Sequence, residues 1–250
     1  MTTSGEDRTQ PRNAVLLFSG GLDTTLEVVE LLKDFDVLHL VTFDNGHCVN
    51  RGGARRRVAE LHSKLGHDRL VHEQIDTRAL MNELLRHAKR APRRLRSPLA
   101  VDMACKMAAV TQVIAYARAH NIPTFSDGAA IDQTQVFIQH PDFAAHIKPF
   151  FERNGVSYRP PLRFDWSRDR KIERLVELGY ASGPKALEKI FITSQIAHQP
   201  FCTRGFVTFL FTSPTRHLPP FKQLGLPMEQ AKELWDLLLP HAEAWLVAQG

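Results

Sequence analysis

The sequence predicts an α/β protein: a doubly wound, mainly parallel sheet with a mostly helical C-terminal appendage. Three observations predict it. Short apolar runs alternate with longer stretches of helical spacing, the pattern of successive βαβ units. The runs end in glycine, aspartate or asparagine, residues that punctuate strands. The polar segments at 19–25, 44–46 and 127–132 all follow predicted strands, and ligands of parallel sheets bind outside the carboxyl ends of the strands.

Each element has its own justification. Residues 14–18 (AVLLF) are short, apolar and followed closely by glycine, as a fully buried strand should be. A helix follows over 24–33, with Leu26, Val29 and Leu32 on one face. Residues 37–46 form a second strand ending in Asp44, Asn45 and Gly46, and an arginine-rich helix spans 53–66. Residues 70–76 (LVHEQID) make a third strand, and Thr77 is placed to cap a helix starting near Arg78. Residues 100–120 form a long helix of good helix formers, closed by Asn121, Ile122 and Pro123. TFSDG, residues 124–128, is a fourth short strand.

The pattern is less regular beyond Phe143. A proline-rich loop precedes a helix at 167–178, where Ser167 is a capping residue and Asp169 favours the positive helix end. Residues 201–211 are aromatic and β-branched and suggest a further strand. Residues 228–248 form a terminal helix or helix pair, kinked or split at Pro240. The chain divides into a leader at 1–12, expected to be disordered, a sheet domain at 13–180 and an appendage at 181–250.

Composition narrows the class. The 250 residues are 43% apolar and 24% charged, ample for a sizeable core. The longest apolar runs, AVLLF and VTFLF, fall well short of the roughly 18 residues that suggest a membrane span, so no membrane partner is expected. The start, MTTSGEDRTQPRN, carries no apolar signal core, and a cytoplasmic protein is expected. The three cysteines, Cys48, Cys105 and Cys202, are too sparse for a disulfide scaffold and form no zinc-type pair. Their chemistry should be redox or nucleophilic. The surplus charge of +5 is concentrated at 86–96 (RHAKRAPRRLR), which has six Lys or Arg and no acid. It is either a solvated loop or a phosphate-contacting surface for RNA.

The most informative stretch is SGGLDTT, residues 19–25. Gly20 and Gly21 allow close backbone approach and a sharp turn. The amides of the helix that follows point at an anion, and the helix dipole favours one. Ser19, Thr24 and Thr25 add hydroxyls. The lysine of G-x-x-x-x-G-K-[ST] is absent, and the spacing is not G-x-G-x-x-G. Asp23 would repel a phosphate unless a cation lay between them, so it points to a magnesium-bound polyphosphate.

SGGLDTT resembles the SGGxDS signature of the PP-loop ATP pyrophosphatases, an adenine nucleotide alpha hydrolase-like group that cleaves ATP between the α and β phosphates. Thr24 stands where serine is usual and keeps the hydroxyl. The resemblance covers about residues 13–180 and implies ATP and Mg2+ as cofactors, with Asp23 as catalytic and metal-holding residue. It implies an ATP site formed by Phe18, Ser19, Gly20, Gly21, Asp23, Thr24 and Thr25 of the loop. Phe43 and Asp44 would lie near the adenosine. Gly128 and Asp132 match a glycine and aspartate after the fourth strand, although Ala129 replaces the usual histidine. Lys171 matches a lysine that opens a late helix.

The superfamily includes amide-forming ligases, a nitrile-forming synthase and tRNA thiolases. Cys105, in DMACKMAAV, resembles the catalytic cysteine segment of the thiolases, with Asp102 where some members have a second cysteine. The separation from Cys105 to Cys202 is like that of the cysteine pair in 2-thiouridine synthetases, which implies a persulfide on one and sulfur release by the other. Lys106 and Arg204 are placed to lower the pKa values of these thiols. Cys48 is read as structural and His39 as a core histidine.

The leading expectation is an ATP-dependent sulfurtransferase acting on a nucleobase, in tRNA or in a small purine or pyrimidine. Its expected partners are that substrate, a sulfur-donor protein or sulfide, and a second copy of the chain in a homodimer. A cysteine-independent ligase or synthase that adenylates a carboxylate is the alternative, and a non-catalytic nucleotide- or RNA-binding module is a third reading.

Overall fold

The computed structural model describes residues 11–49, 52–95, 99–128, 140–159, 168–180, 201–202 and 228–249. Its elements in chain order begin β1 (Asn13–Leu17), α1 (Leu22–Leu31), β2 (Val37–Asp44), β3 (Cys48–Val49) and α2 (Gly52–Leu65). Next come β4 (Leu70–Asp76), α3 (Arg78–Arg90), α4 (Leu99–Ala119) and β5 (Thr124–Ser126). The remainder are α5 (Pro141–Arg153), β6 (Ser157–Arg159), α6 (Arg168–Glu177), β7 (Phe201–Cys202) and α7 (Met228–Gln249).

Five strands form one sheet in the order β4-β2-β1-β5-β6. Every pairing in it is parallel. The chain winds from β1 outward to β2 and β4, then returns to the other side of β1 for β5 and β6. The strand order therefore switches direction between β1 and β5, where the loops after the two strands diverge and leave a crevice. β3 and β7 make a separate antiparallel ladder.

Side-chain alternation sends the strand residues to two cores. In β1, Val15 enters one cluster, while Ala14 and Leu16 enter the other. The first cluster is closed by α3, α4, α5 and α7 through Leu84, Met107, Phe150 and Trp235. The second is closed by α1, α2 and α6 through Leu31, Leu61 and Leu175. His39, expected in the core, is half-buried on the α4 side of β2, with its ring nitrogen Nδ1 2.9 Å from the Tyr116 hydroxyl.

Several local expectations change. The strand expected at 124–128 ends at Ser126, and Asp127 and Gly128 lie in the loop beyond it. α5 and β6 occupy a region that reads as irregular. α5 starts at Pro141, with its N-terminus capped by His140 Nδ1, which accepts from the Asp142 amide at 3.2 Å. Thr77 does sit at the N-cap of α3, but its hydroxyl donates to the Asp44 carbonyl at 3.3 Å instead of capping the helix. α7 runs unbroken through Pro240 rather than as a pair, held by Leu238, Ala242 and Leu246 in the core. Residues 1–10, Ser167 and the stretch 203–211 lie outside the described residues, so the leader and most of the expected late strand do too. Among the described residues no helix is long and apolar enough to cross a membrane.

Trp235 is 1% exposed and packs edge-on against Phe143 and Phe150, so α7 closes the core of the sheet domain. Trp235→Ala should lower unfolding free energy by about 3–5 kcal/mol in urea titrations. A loss below about 1 kcal/mol would show that α7 is peripheral.

Candidate active site

The glycine loop after β1 is a built turn. Phe18 ends the strand with its amide donating to the Val41 carbonyl at 2.8 Å, and the Thr42 hydroxyl donates to the Phe18 carbonyl at 2.7 Å. Gly20 then takes φ +74°, a backbone region open to glycine. The Ser19 hydroxyl accepts from the Gly21 amide at 3.2 Å. The first helical hydrogen bond of α1 runs from the Thr25 amide to the Gly21 carbonyl at 3.0 Å. The amides of Leu22, Asp23 and Thr24 precede it and have no acceptor within the helix, the standard arrangement of an anion cradle.

Not every loop residue faces that cradle. Thr25 is fully buried and its hydroxyl donates back to the Gly21 carbonyl at 2.6 Å. Thr24 makes a longer bond to the same carbonyl, 3.3 Å, and touches Ser19 Oγ at 3.3 Å. Phe18 is 1% exposed, with its ring in the second core cluster. Its side chain therefore supports the loop from below, and only its backbone lies at the site.

Asp23 faces a cation of the chain itself in this structure. Lys171, on α6, places Nζ 2.9 Å from Asp23 Oδ1, and its side chain is 2% exposed. Burying an ammonium is costly without a counter-charge, and Asp23 provides one. Helix α6 thus carries a positive charge to the first turn of α1. No group of three or more metal-ligating side chains occurs among the described residues.

The loop after β5 meets the glycine loop across the crevice. Gly128 has φ +61°, and a β-carbon there would meet Thr24 Cγ2 at 2.8 Å and the Leu17 carbonyl at 3.3 Å. Behind it lies a buried polar network that sequence reasoning missed. Asp127 accepts from Lys106 Nζ at 2.9 Å and from the Tyr158 hydroxyl at 3.1 Å. Burial, and then Asp127 beside it, push the Tyr158 phenol pKa upward, so the hydroxyl stays a donor. Ser126 donates to Glu27 at 3.0 Å, and both are buried. The signal was present in part: an acidic residue in α1 beyond the loop and an SD pair before Gly128.

The other expected residues are placed as follows. Asp44 ends β2 and accepts from the Gly46 amide at 2.8 Å, and Phe43 is partly buried against the first core cluster. Asn45, 6% exposed, donates from Nδ2 to Cys105 Sγ at 3.4 Å. That bond brings the Cys105 thiol to the carboxyl end of β2. Lys106 pairs instead with Asp127, and Asn45 is a polar side chain at this thiol. Cys202 lies in β7, and its backbone pairs with Cys48 in β3. Asp132 and Arg204 lie outside the described residues. In the basic tract, Arg93 and Arg94 are exposed, and Arg94 pairs with Glu233 of α7.

No protein-family model matches the sequence. Among solved structures, the chain is similar to a 4-thiouridine synthetase crystallised with RNA and bound ATP, at 17% identity and a TM-score of 0.53. That match covers 94% of this chain and 53% of the synthetase, so the chain spans about half of the synthetase's length. A predicted tRNA methyltransferase subunit from Methanocaldococcus jannaschii is 18% identical over 66% of this chain and 75% of its own, with a TM-score of 0.46. An NMN synthetase from Francisella tularensis is 11% identical over 87% and 89%, with a TM-score of 0.46. The likeness to the 4-thiouridine synthetase is one of fold, and the fold is the adenine nucleotide alpha hydrolase-like one.

Asp102 lies one helical turn before Cys105, and burial raises its pKa from the ordinary 3.8 to about 6. The folded protein therefore holds a proton there that the unfolded chain releases, and this titration lowers stability as pH rises from about 4 to about 6. Asp102→Asn should remove that fall, so the variant gains on the parent through this window and keeps the gain above it. The measurement is urea unfolding from pH 4 to pH 8. A stability difference constant across the range would contradict the raised pKa.

Proposed function

We propose that this chain is a PP-loop ATP pyrophosphatase acting as a sulfurtransferase, which adenylates a nucleobase carbonyl, releases pyrophosphate and inserts sulfur through Cys105. The observation that carries the reading is the meeting at one sheet edge of an anion cradle, a buried lysine and a half-buried thiol. The SGGLDTT resemblance supports ATP as the anion, and the fold shared with an ATP-bound 4-thiouridine synthetase agrees with it.

In this reading, the amides of residues 22–24 and the Ser19 hydroxyl hold the β and γ phosphates, with Thr24 shaping the turn between them. Lys171 exchanges its contact with Asp23 for one with phosphate oxygens as negative charge arrives. Asp23, freed from that contact, is the carboxylate that would hold a magnesium ion accompanying the polyphosphate, an oxygen donor of the kind this cation takes. When bound, it supplies neutralisation of developing phosphate charge. Gly128 leaves the crevice open beside Thr24, and Phe43 and Asp44 flank the nucleoside end.

The base oxygen attacks the α-phosphorus, the α–β bridge breaks and pyrophosphate departs, leaving an adenylated carbon. A sulfur-donor protein passes its terminal sulfur to Cys105 as a persulfide without net oxidation. The outer sulfur attacks the activated carbon and AMP leaves. The Cys202 thiolate then attacks Cys105 Sγ, so the carbon keeps one sulfur as a thione and a Cys105–Cys202 disulfide remains. A thiol reductant restores the pair. The Asn45 amide, donating to Cys105 Sγ, positions the thiol at the carboxyl end of β2. Exposed Arg93 and Arg94 support RNA as the carrier of the base.

Nucleosides and small metabolites from cells with and without the protein should differ by a species in which sulfur replaces oxygen, detected by mass spectrometry. Cys105→Ala should lower that species on the order of 10³-fold or more while ATP affinity is kept. Normal thiolated product from Cys105→Ala would overturn the sulfur-transfer step and return the chain to the cysteine-independent ligases or synthases.

A further inference from the structure

The β3–β7 ladder places Cys48 directly opposite Cys202, and Val49 opposite Phe201. Residues in register on an antiparallel pair share one face, and their Cα atoms lie about 4.5 or 5.5 Å apart according to the pair type. Both separations fall within the roughly 4.4–6.8 Å Cα range over which a disulfide closes without moving the backbone. Each strand is only two residues long, so the ladder by itself is marginal and a covalent link across it would matter to its persistence. The ladder also adjoins the site: Cys48 comes three residues after Asn45, whose amide holds the Cys105 thiol.

We propose that Cys48 and Cys202 are a dithiol/disulfide site that exchanges with small disulfides. One thiolate attacks the small disulfide and expels its first half as a thiol. The second thiolate attacks the resulting mixed disulfide and expels the other half. Two electrons pass from the protein to the small disulfide, and the two cysteine protons end on the two small thiols. Cys48 is then a redox partner, and its reading as purely structural is replaced.

The pair also extends the sulfur-transfer reaction, and this part rests on that reading. The Cys48 thiolate attacks Cys202 in the Cys105–Cys202 disulfide, forming Cys48–Cys202 and restoring Cys105 as a thiolate. The exchange needs no external oxidant. It returns the persulfide-carrying thiol to service before the reductant acts.

The test uses the full chain with neither ATP nor a base present, so its outcome is independent of whether thiolation occurs. The protein is equilibrated with oxidised glutathione, quenched with N-ethylmaleimide, digested and mapped by mass spectrometry. The expected result is a Cys48–Cys202 linked peptide as the dominant protein disulfide, with Cys105 alkylated. The same link should persist in Cys105→Ser and vanish in Cys48→Ser. A dominant link containing Cys105, or glutathione adducts without any linked peptide, would overturn the proposal.

Discussion

The carboxyl edge of this sheet turns on a buried lysine and its counter-charge. Lys171 is almost wholly withdrawn from water, and Asp23 stands 2.9 Å away at the first turn of α1. A buried ammonium persists when a counter-charge and hydrogen bonds offset its lost hydration. The pair therefore ties α6 to α1 and explains why an aspartate occupies a loop otherwise suited to anions. In the proposed reaction this pair would meet the nucleotide: phosphate oxygens would bring new negative charge to a lysine already in place, at little cost in side-chain ordering.

The loops at this edge are braced from behind. Thr42 fixes the Phe18 carbonyl, Ser126 reaches Glu27, and Asp127 gathers Lys106 and Tyr158. Each contact joins side chains or backbone from different elements, so the loops after β1 and β5 inherit the geometry of the sheet. Preorganisation of this kind lets a site hold a charged ligand without first reordering itself. Asn45 extends the bracing to Cys105, which is how a helix residue far along the chain comes to the end of β2.

Much of this architecture was legible in the residues. The parallel sheet follows from the apolar runs, and the loop between β1 and α1 follows from Gly20, whose φ of +74° few other residues permit. Lys171 was identified by resemblance, but its pairing with Asp23 was not, since nothing local links residues so distant in sequence. The pairing of Lys106 with Asp127 is likewise not local, since adjacency along a helix directs the Lys106 and Cys105 side chains apart. The motif resemblance places Phe18 and Thr25 at the ATP site, and in the structure both side chains are buried. β6 is three residues long and α5 contains Pro149, so neither carries a periodic signal strong enough to read. The Cys48–Cys202 register is a property of two very short strands brought together by the whole chain, and no local pattern encodes it.

In the proposed reaction the loop directs cleavage between the α and β phosphates rather than γ-phosphate transfer. ATP labelled separately at the α and γ positions, incubated with the protein and its thiolation substrate, tests it by product analysis. The α-label should appear in AMP and the γ-label in pyrophosphate, both diminished in Lys171→Ala. Label appearing in ADP and inorganic phosphate would contradict it.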